Sequence, residues 1–209
     1  MEAFFKKLRP IAAFIGLGCL AMFLILDLVA NIGAIADGGS GSIMFAWTIE
    51  LLLVGGLGFA FFAKRKELAR ALLIVLLAFY VVSIALGRGY SAYSVYADFD
   101  NNPLVAVTPL LIPAAVFAFS ALVLVLLGFA LARIFARPLF GFITVGAMAA
   151  FVFFTLIAFL LAMIGMGKAN ADYGEVFKWY SFVGAVGELF FLPVAGLFGT
   201  LCYVVKVEE

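Results

Sequence analysis

The stretch from Pro10 to Ala36 reads PIAAFIGLGCLAMFLILDLVANIGAIA, and it decides the class of fold. It is long and apolar enough to cross the hydrocarbon core of a bilayer, which takes about 20 residues of α-helix. A single acid, Asp27, interrupts it. An ionisable side chain at the bilayer centre costs about 2.5–3.5 kcal/mol, so Asp27 is a candidate functional residue.

The rest of the chain has the same apolar character. Of its 209 residues, 67% are hydrophobic and 12% are charged, whereas soluble domains carry about 25% charged residues. The net charge of +1 gives no basis for nucleic-acid binding. Histidine does not occur, which excludes His-based catalysis and His ligation of metals. We predict no metal site and no cofactor, and we interpret Cys19 and Cys202 as small buried hydrophobic residues.

Six apolar segments predict an all-α integral membrane protein with short loops, folded as a single domain over residues 1–209. Prolines within two of the segments, Pro113 and Pro193, are expected to kink their helices. The predicted transmembrane helices cover about residues 10–36, 43–63, 71–87, 107–132, 138–165 and 179–205.

The basic residues predict how these six helices are oriented. Ten of the 13 lysines and arginines fall on the side that holds both termini, and three fall on the other side. Because basic loops stay in the cytoplasm, both termini are predicted to be cytoplasmic, and we expect a multi-pass protein of a bacterial plasma membrane. The first segment resembles a signal peptide ending in Ala34-Ile35-Ala36, but its length and Asp27 favour an uncleaved helix.

Two further acids, Glu50 and Glu188, lie inside predicted helices, and no lysine or arginine lies inside any of the six. At 1.5 Å per residue, Asp27, Glu50 and Glu188 are about 10–14 Å below the outer surface, so one layer of the membrane can hold all three. Asn31 is one helical turn from Asp27 on the same face, where its side chain can hydrogen-bond the acid. These four residues are the candidate ligand-, proton- or cation-binding residues.

Each acid has a functional and a structural interpretation. Proton relays and cation-coupled transporters use carboxyl groups of this kind, whose neutral form is favoured in hydrocarbon. In the alternative, each acid stays neutral and hydrogen-bonds a backbone carbonyl or an asparagine. The structural interpretation is favoured for Glu50, and both stand for Asp27 with Asn31. Function is favoured for Glu188, because small residues recur around it at helical spacing, at Ser181, Gly184, Ala195 and Gly199.

The outer loop between the third and fourth helices contains Tyr90, Tyr93 and Tyr96, followed by Asp98. Tyrosines favour the headgroup level of a membrane, so an aromatic belt is the first interpretation. The alternative is that the three rings form one face of a short helix that covers an outward-facing pocket and contacts a cationic or aromatic ligand. These four residues are the candidate outer-loop binding residues.

Two classes of function fit these features. The first is a transport-related role, as a small solute or cation carrier or as the membrane-embedded substrate-binding subunit of a transporter. Six spans in 209 residues match the general plan of such subunits in energy-coupling-factor transporters, by size and topology alone. The second is a non-catalytic structural or accessory subunit that contacts a membrane protein partner or another copy of itself within the lipid bilayer. We do not expect an enzyme, because no recognisable catalytic motif occurs.

Overall fold

The computed structural model describes residues 2–39, 41, 43–83, 108–135 and 138–203. Every regular element within these ranges is a helix, which confirms the all-α prediction for them. The first five helices are α1 (Glu2–Ala36), α2 (Ile43–Phe62), α3 (Lys66–Ser83), α4 (Thr108–Phe135) and α5 (Pro138–Tyr173). The final helix has three consecutive parts: α6 (Trp179–Val186), a π turn (Gly187–Phe191) and α7 (Leu192–Tyr203).

Several of the helices have the length and composition of membrane spans. Four segments are long and apolar enough to cross a bilayer, and the apolar part of α2 is shorter. Large apolar side chains also cover the outside of the bundle, as at Phe45 and Leu52, which are 73% and 70% exposed. Surface helices of a soluble protein carry polar residues on that side. Long apolar helices with an apolar surface are typical of a membrane-embedded protein. The four long segments are Pro10–Ala36, Leu110–Phe135, Leu139–Tyr173 and Trp179–Cys202.

Several helices extend beyond the bounds predicted from the sequence. α1 begins at Glu2 rather than near Pro10, and α5 continues to Tyr173 rather than ending near residue 165. Hydropathy marks where a helix is apolar, whereas the backbone continues to form hydrogen bonds into the polar flanks. α4 continues through Pro113.

Two groups of helices meet at one core. α4 and α5 pack as an antiparallel pair, and α1 packs along the final helix and against α2. α3 contacts α2, α4 and α7, so it joins the two groups. Large apolar side chains from α1, α3, α4 and α5 form the buried core between them, including Phe23, Leu73, Leu122 and Met148.

A tight turn ends α2 and reverses the chain into α3. The Arg65 N–H donates to the Ala60 carbonyl at 2.8 Å, and the Lys64 N–H donates to the Phe61 carbonyl at 3.0 Å. This pair of bonds is the Schellman motif, which places one residue in the left-handed region. At the end of α1 that residue is Gly38, with φ of 92°, whereas at the end of α2 it is Lys64, with φ of 56°.

The left-handed lysine leads to a stability prediction. Lys64→Gly should raise the free energy of unfolding by roughly 1 kcal/mol, because a Cβ atom is strained in this region and glycine has none. Thermal unfolding of the detergent-solubilised protein measures the change. Lys64→Ala removes the same charge but keeps the Cβ atom, so an equal gain from alanine would contradict the explanation.

Candidate functional site

The three acids predicted to share a layer line one cavity. Asp27 from α1, Glu50 from α2 and Glu188 from the π turn all border a space of about 380 Å³. Small-molecule sites in proteins have volumes of roughly 300–1,000 Å³. The cavity is therefore large enough for a small organic molecule, and its acids come from three separate helices.

Asp27 is held by a neighbour on its own helix. The Asn31 Nδ2 atom donates to the Asp27 Oδ2 atom at 3.0 Å, which confirms the predicted hydrogen bond. The two residues are one helical turn apart and both are half-buried. A carboxylate offers about four acceptor positions, so this bond restrains the orientation of Asp27 and uses only part of its acceptor capacity.

Glu50 is placed beside Asp27 by the packing of α2 on α1. The indole N–H of Trp47 donates to the Leu24 carbonyl at 3.2 Å, which ties the two helices together one turn before Glu50. The carboxyl groups of Glu50 and Asp27 are close enough to interact electrostatically. Two like charges in a partly buried site repel each other unless a proton or another cation lies near them. The pair is therefore suited to binding positive charge.

Glu188 reaches the cavity from an irregular stretch of the final helix. The Leu192 N–H donates to the Gly187 carbonyl, five residues earlier, as in a π-helix. Pro193 is the next residue; it has no N–H to offer to the Leu189 carbonyl, and its ring crowds that oxygen. The wide turn relieves this crowding. Because π turns occur often at functional sites, the position of Glu188 within one is consistent with a binding role.

The π turn changes the helical register that the sequence pattern assumes. It contains one extra residue, so the residues before it are rotated by about 100° relative to an uninterrupted α-helix. Ser181 and Gly184 are therefore not in simple helical register with Ala195 and Gly199. Sequence spacing does not reveal this rotation, because it presumes a constant 3.6 residues per turn.

The small residues of the final helix are nonetheless packing residues. A Cβ atom at Gly184 would lie 3.4 Å from the Ala30 Cβ atom, and one at Gly187 would lie 3.4 Å from the Leu26 Cβ atom. These glycines let the final helix lie close to α1. The close packing holds Glu188, whose side chain is exposed, at the same cavity as Asp27.

Tyr80 of α3 is a site residue that our sequence analysis missed. Its side chain lines the cavity and is 7% exposed. Its hydroxyl group has no hydrogen-bond partner among the described residues. Asp27 and Glu50 both interact electrostatically with it. The available signal was a single hydroxyl group in the apolar stretch ALLIVLLAFYVV of residues 71–82.

Most of the remaining cavity wall is apolar. Leucines of α3 and α4 and the ring of Phe151 form much of it, and no lysine or arginine is among the lining residues in the part of the chain that the structure describes. Thr155 also lines the cavity, but its hydroxyl donates to the Phe151 carbonyl at 2.8 Å. The cavity thus combines acidic groups with a hydrocarbon wall.

The outer-loop candidates fall on residues that the structure does not describe. Tyr90, Tyr93, Tyr96 and Asp98 all lie between the end of α3 and the start of α4, within residues 84–107. The hypothesis that the three tyrosines cover an outward-facing pocket stays a prediction.

Comparisons of the chain with protein-family models, with curated proteins and with solved structures find no match.

Proposed function

We propose that this protein has a transport-related role in which the acid-lined cavity binds a cation. It acts either as a small carrier or as the membrane-embedded substrate-binding subunit of a larger transporter. The observation that carries the proposal is the convergence of Asp27, Glu50 and Glu188 on one cavity.

The free-energy cost of placing three acids in an apolar helical bundle supports a binding role. Each acid costs about 2.5–3.5 kcal/mol at the centre of a membrane, and leucine or phenylalanine would pack the same bundle without that cost. A bound cation offsets the repulsion between neighbouring carboxylates. Since each acid belongs to a different helix, a cation bound in the cavity that they line favours one relative arrangement of α1, α2 and the π turn. Binding that favours one arrangement is what couples a ligand to a conformational change.

The proposal includes an orientation. With six spans in a bacterial plasma membrane and both termini in the cytoplasm, the cavity lies toward the outer leaflet. A cation would then enter from the outside and meet the acids before the membrane centre. The proposed role is binding and movement of a ligand rather than catalysis.

The experiment measures charge movement by the full-length protein in proteoliposomes. Concentration jumps of Na⁺, K⁺ and tetraethylammonium are applied on a solid-supported membrane, and transient currents are recorded. The combined variant Asp27→Asn, Glu50→Gln and Glu188→Gln should lower the current at least about tenfold, toward that of protein-free liposomes, because it removes every charge that holds the cation.

Glu175→Gln is the matched control. Glu175 is an exposed acid between α5 and α6 that pairs with Lys178 at 3.3 Å, so its loss should leave the currents unchanged. Wild-type currents from the triple variant would overturn the proposal. Native mass spectrometry of the protein purified from its own membranes then separates the two forms of the proposal: a stoichiometric ATPase-bearing partner indicates a subunit, and its absence indicates a carrier.

A further inference from the structure

The cavity has a polar side and an apolar side. Asp27 from α1, Glu50 from α2 and Tyr80 from α3 supply polar groups to its lining. Leu73 and Leu122 belong to the apolar wall. A ligand that matches this surface carries positive charge at one end and hydrocarbon at the other.

The Tyr80 hydroxyl group indicates what kind of charged end fits. It is buried in the cavity wall without a partner among the described residues, and a buried hydroxyl left unpaired costs about 1–3 kcal/mol. A neutral phenol oxygen accepts hydrogen bonds from N–H groups. Because this oxygen has almost no accessible surface, a ligand meets it only when the Tyr80 ring turns toward the cavity. A protonated amine can then donate one N–H to Tyr80 and others to the neighbouring carboxylates, which an alkali-metal ion cannot do.

The arrangement of the acids argues against a single metal ion. Among the described residues, no three acidic or cysteine side chains come close enough together to hold one. A bare ion would also fill little of a cavity of about 380 Å³. An organic cation can contact an acid with its charged end and the apolar wall with its hydrocarbon at the same time.

We infer that the cavity binds a protonated amine with an apolar body, and that the Tyr80 hydroxyl accepts a hydrogen bond from its ammonium group. The inference rests on the proposed function, since it names the ligand class of the same acid-lined site. It also assigns Tyr80, which is not an acid, as a specificity residue for ammonium over a cation without N–H groups.

The test compares three probes of similar shape by isothermal titration calorimetry of the full-length protein in detergent. 2-Phenylethylamine is the protonated amine, its N,N,N-trimethyl derivative keeps the charge without N–H groups, and propylbenzene is the neutral counterpart. The amine should bind at least about tenfold more tightly than propylbenzene. Tyr80→Phe should weaken the amine about tenfold and leave the trimethyl derivative unchanged, because only the amine donates to the hydroxyl.

Tyr173→Phe is the matched control, since Tyr173 is 73% exposed at the end of α5. The Tyr173→Phe protein should bind all three probes like the wild type. Folding of Tyr80→Phe is checked by its thermal midpoint, which should not fall, because the substitution removes an unpaired buried group. Equal affinity for the amine and propylbenzene, or an equal effect of Tyr80→Phe on both cations, would overturn the inference. Na⁺ or K⁺ currents in proteoliposomes, together with no amine binding by calorimetry, would overturn the ligand class alone. The absence of both cation binding and currents would overturn the proposed function as well.

Discussion

Glu50→Lys should weaken cation binding at least about 100-fold while the protein stays folded. The new ammonium group would lie beside Asp27, where it forms an internal ion pair and places positive charge in the position proposed for the ligand. The substitution changes the charge of the cavity by two units, so we expect affinity for phenylethylamine to fall at least about 100-fold, against about tenfold for Glu50→Gln. Calorimetric titration in detergent measures both values.

Thr48→Lys controls for the added charge on α2. Thr48 is exposed, and its hydroxyl donates to the Met44 carbonyl at 2.8 Å, so a lysine there can extend along the helix toward the membrane surface. Its affinity for the amine should stay within about twofold of the wild type, because the charge is outside the cavity. Undiminished amine binding by Glu50→Lys, with an unchanged thermal midpoint, would show that the ligand does not occupy the space beside Asp27.

Gly128→Ala should destabilise the contact between α4 and α5. A Cβ atom at Gly128 would overlap the Thr144 hydroxyl and lie 3.1 Å from the Thr144 Cβ atom and 3.2 Å from its Cα atom. Thr144 is fully buried, and its hydroxyl donates to the Phe140 carbonyl at 2.7 Å. Rotation of the Thr144 side chain can move its hydroxyl but not its Cα and Cβ atoms, which the α5 backbone fixes. The two helices must therefore separate, and overpacking of this kind costs about 1–3 kcal/mol.

The measurement is the free energy of unfolding in a detergent–denaturant titration. Gly146→Ala is the control, since nothing lies within 4 Å of a Cβ atom there, and it should be neutral or stabilising by up to about 1 kcal/mol. Adding Thr144→Ala to Gly128→Ala should recover part of the loss, because it removes the hydroxyl that the new Cβ atom overlaps. Strictly additive losses would mean that the two positions do not meet.

Much of the fold could be predicted from composition and spacing. The apolar segments indicated the all-helical class and six helices, because a chain in hydrocarbon must satisfy its backbone hydrogen bonds internally. The ends of the helices were less accurate. α1 and α5 continue past their apolar cores into residues such as Lys168, since helical hydrogen bonding does not depend on hydropathy.

Part of the site could also be predicted, because acids are rare in apolar helices. An acid in an apolar helix carries a free-energy cost, so Asp27, Glu50 and Glu188 could be identified from the sequence. The spacing of one helical turn between Asp27 and Asn31 indicated their hydrogen bond. The convergence of the three acids depends on how α1, α2 and the final helix pack, which spacing within one helix does not contain. Tyr80 was missed because tyrosine is also common at membrane interfaces, and its burial depends on its neighbours.

The π turn at Gly187–Phe191 has a consequence for comparing this chain with any relative. One extra residue in a helix is equivalent to a single-residue insertion, so a chain without it would align to this one with a one-position gap somewhere in residues 187–191. In such a chain, the residues before the gap would be turned by about 100° relative to the residues after it. If the second half of the helix kept its packing, a carboxylate aligned with Glu188 and lying before the gap would then be turned by that angle from its position here. The gap, more than the identity of the aligned residue, would mark which relatives share a cavity with three acids.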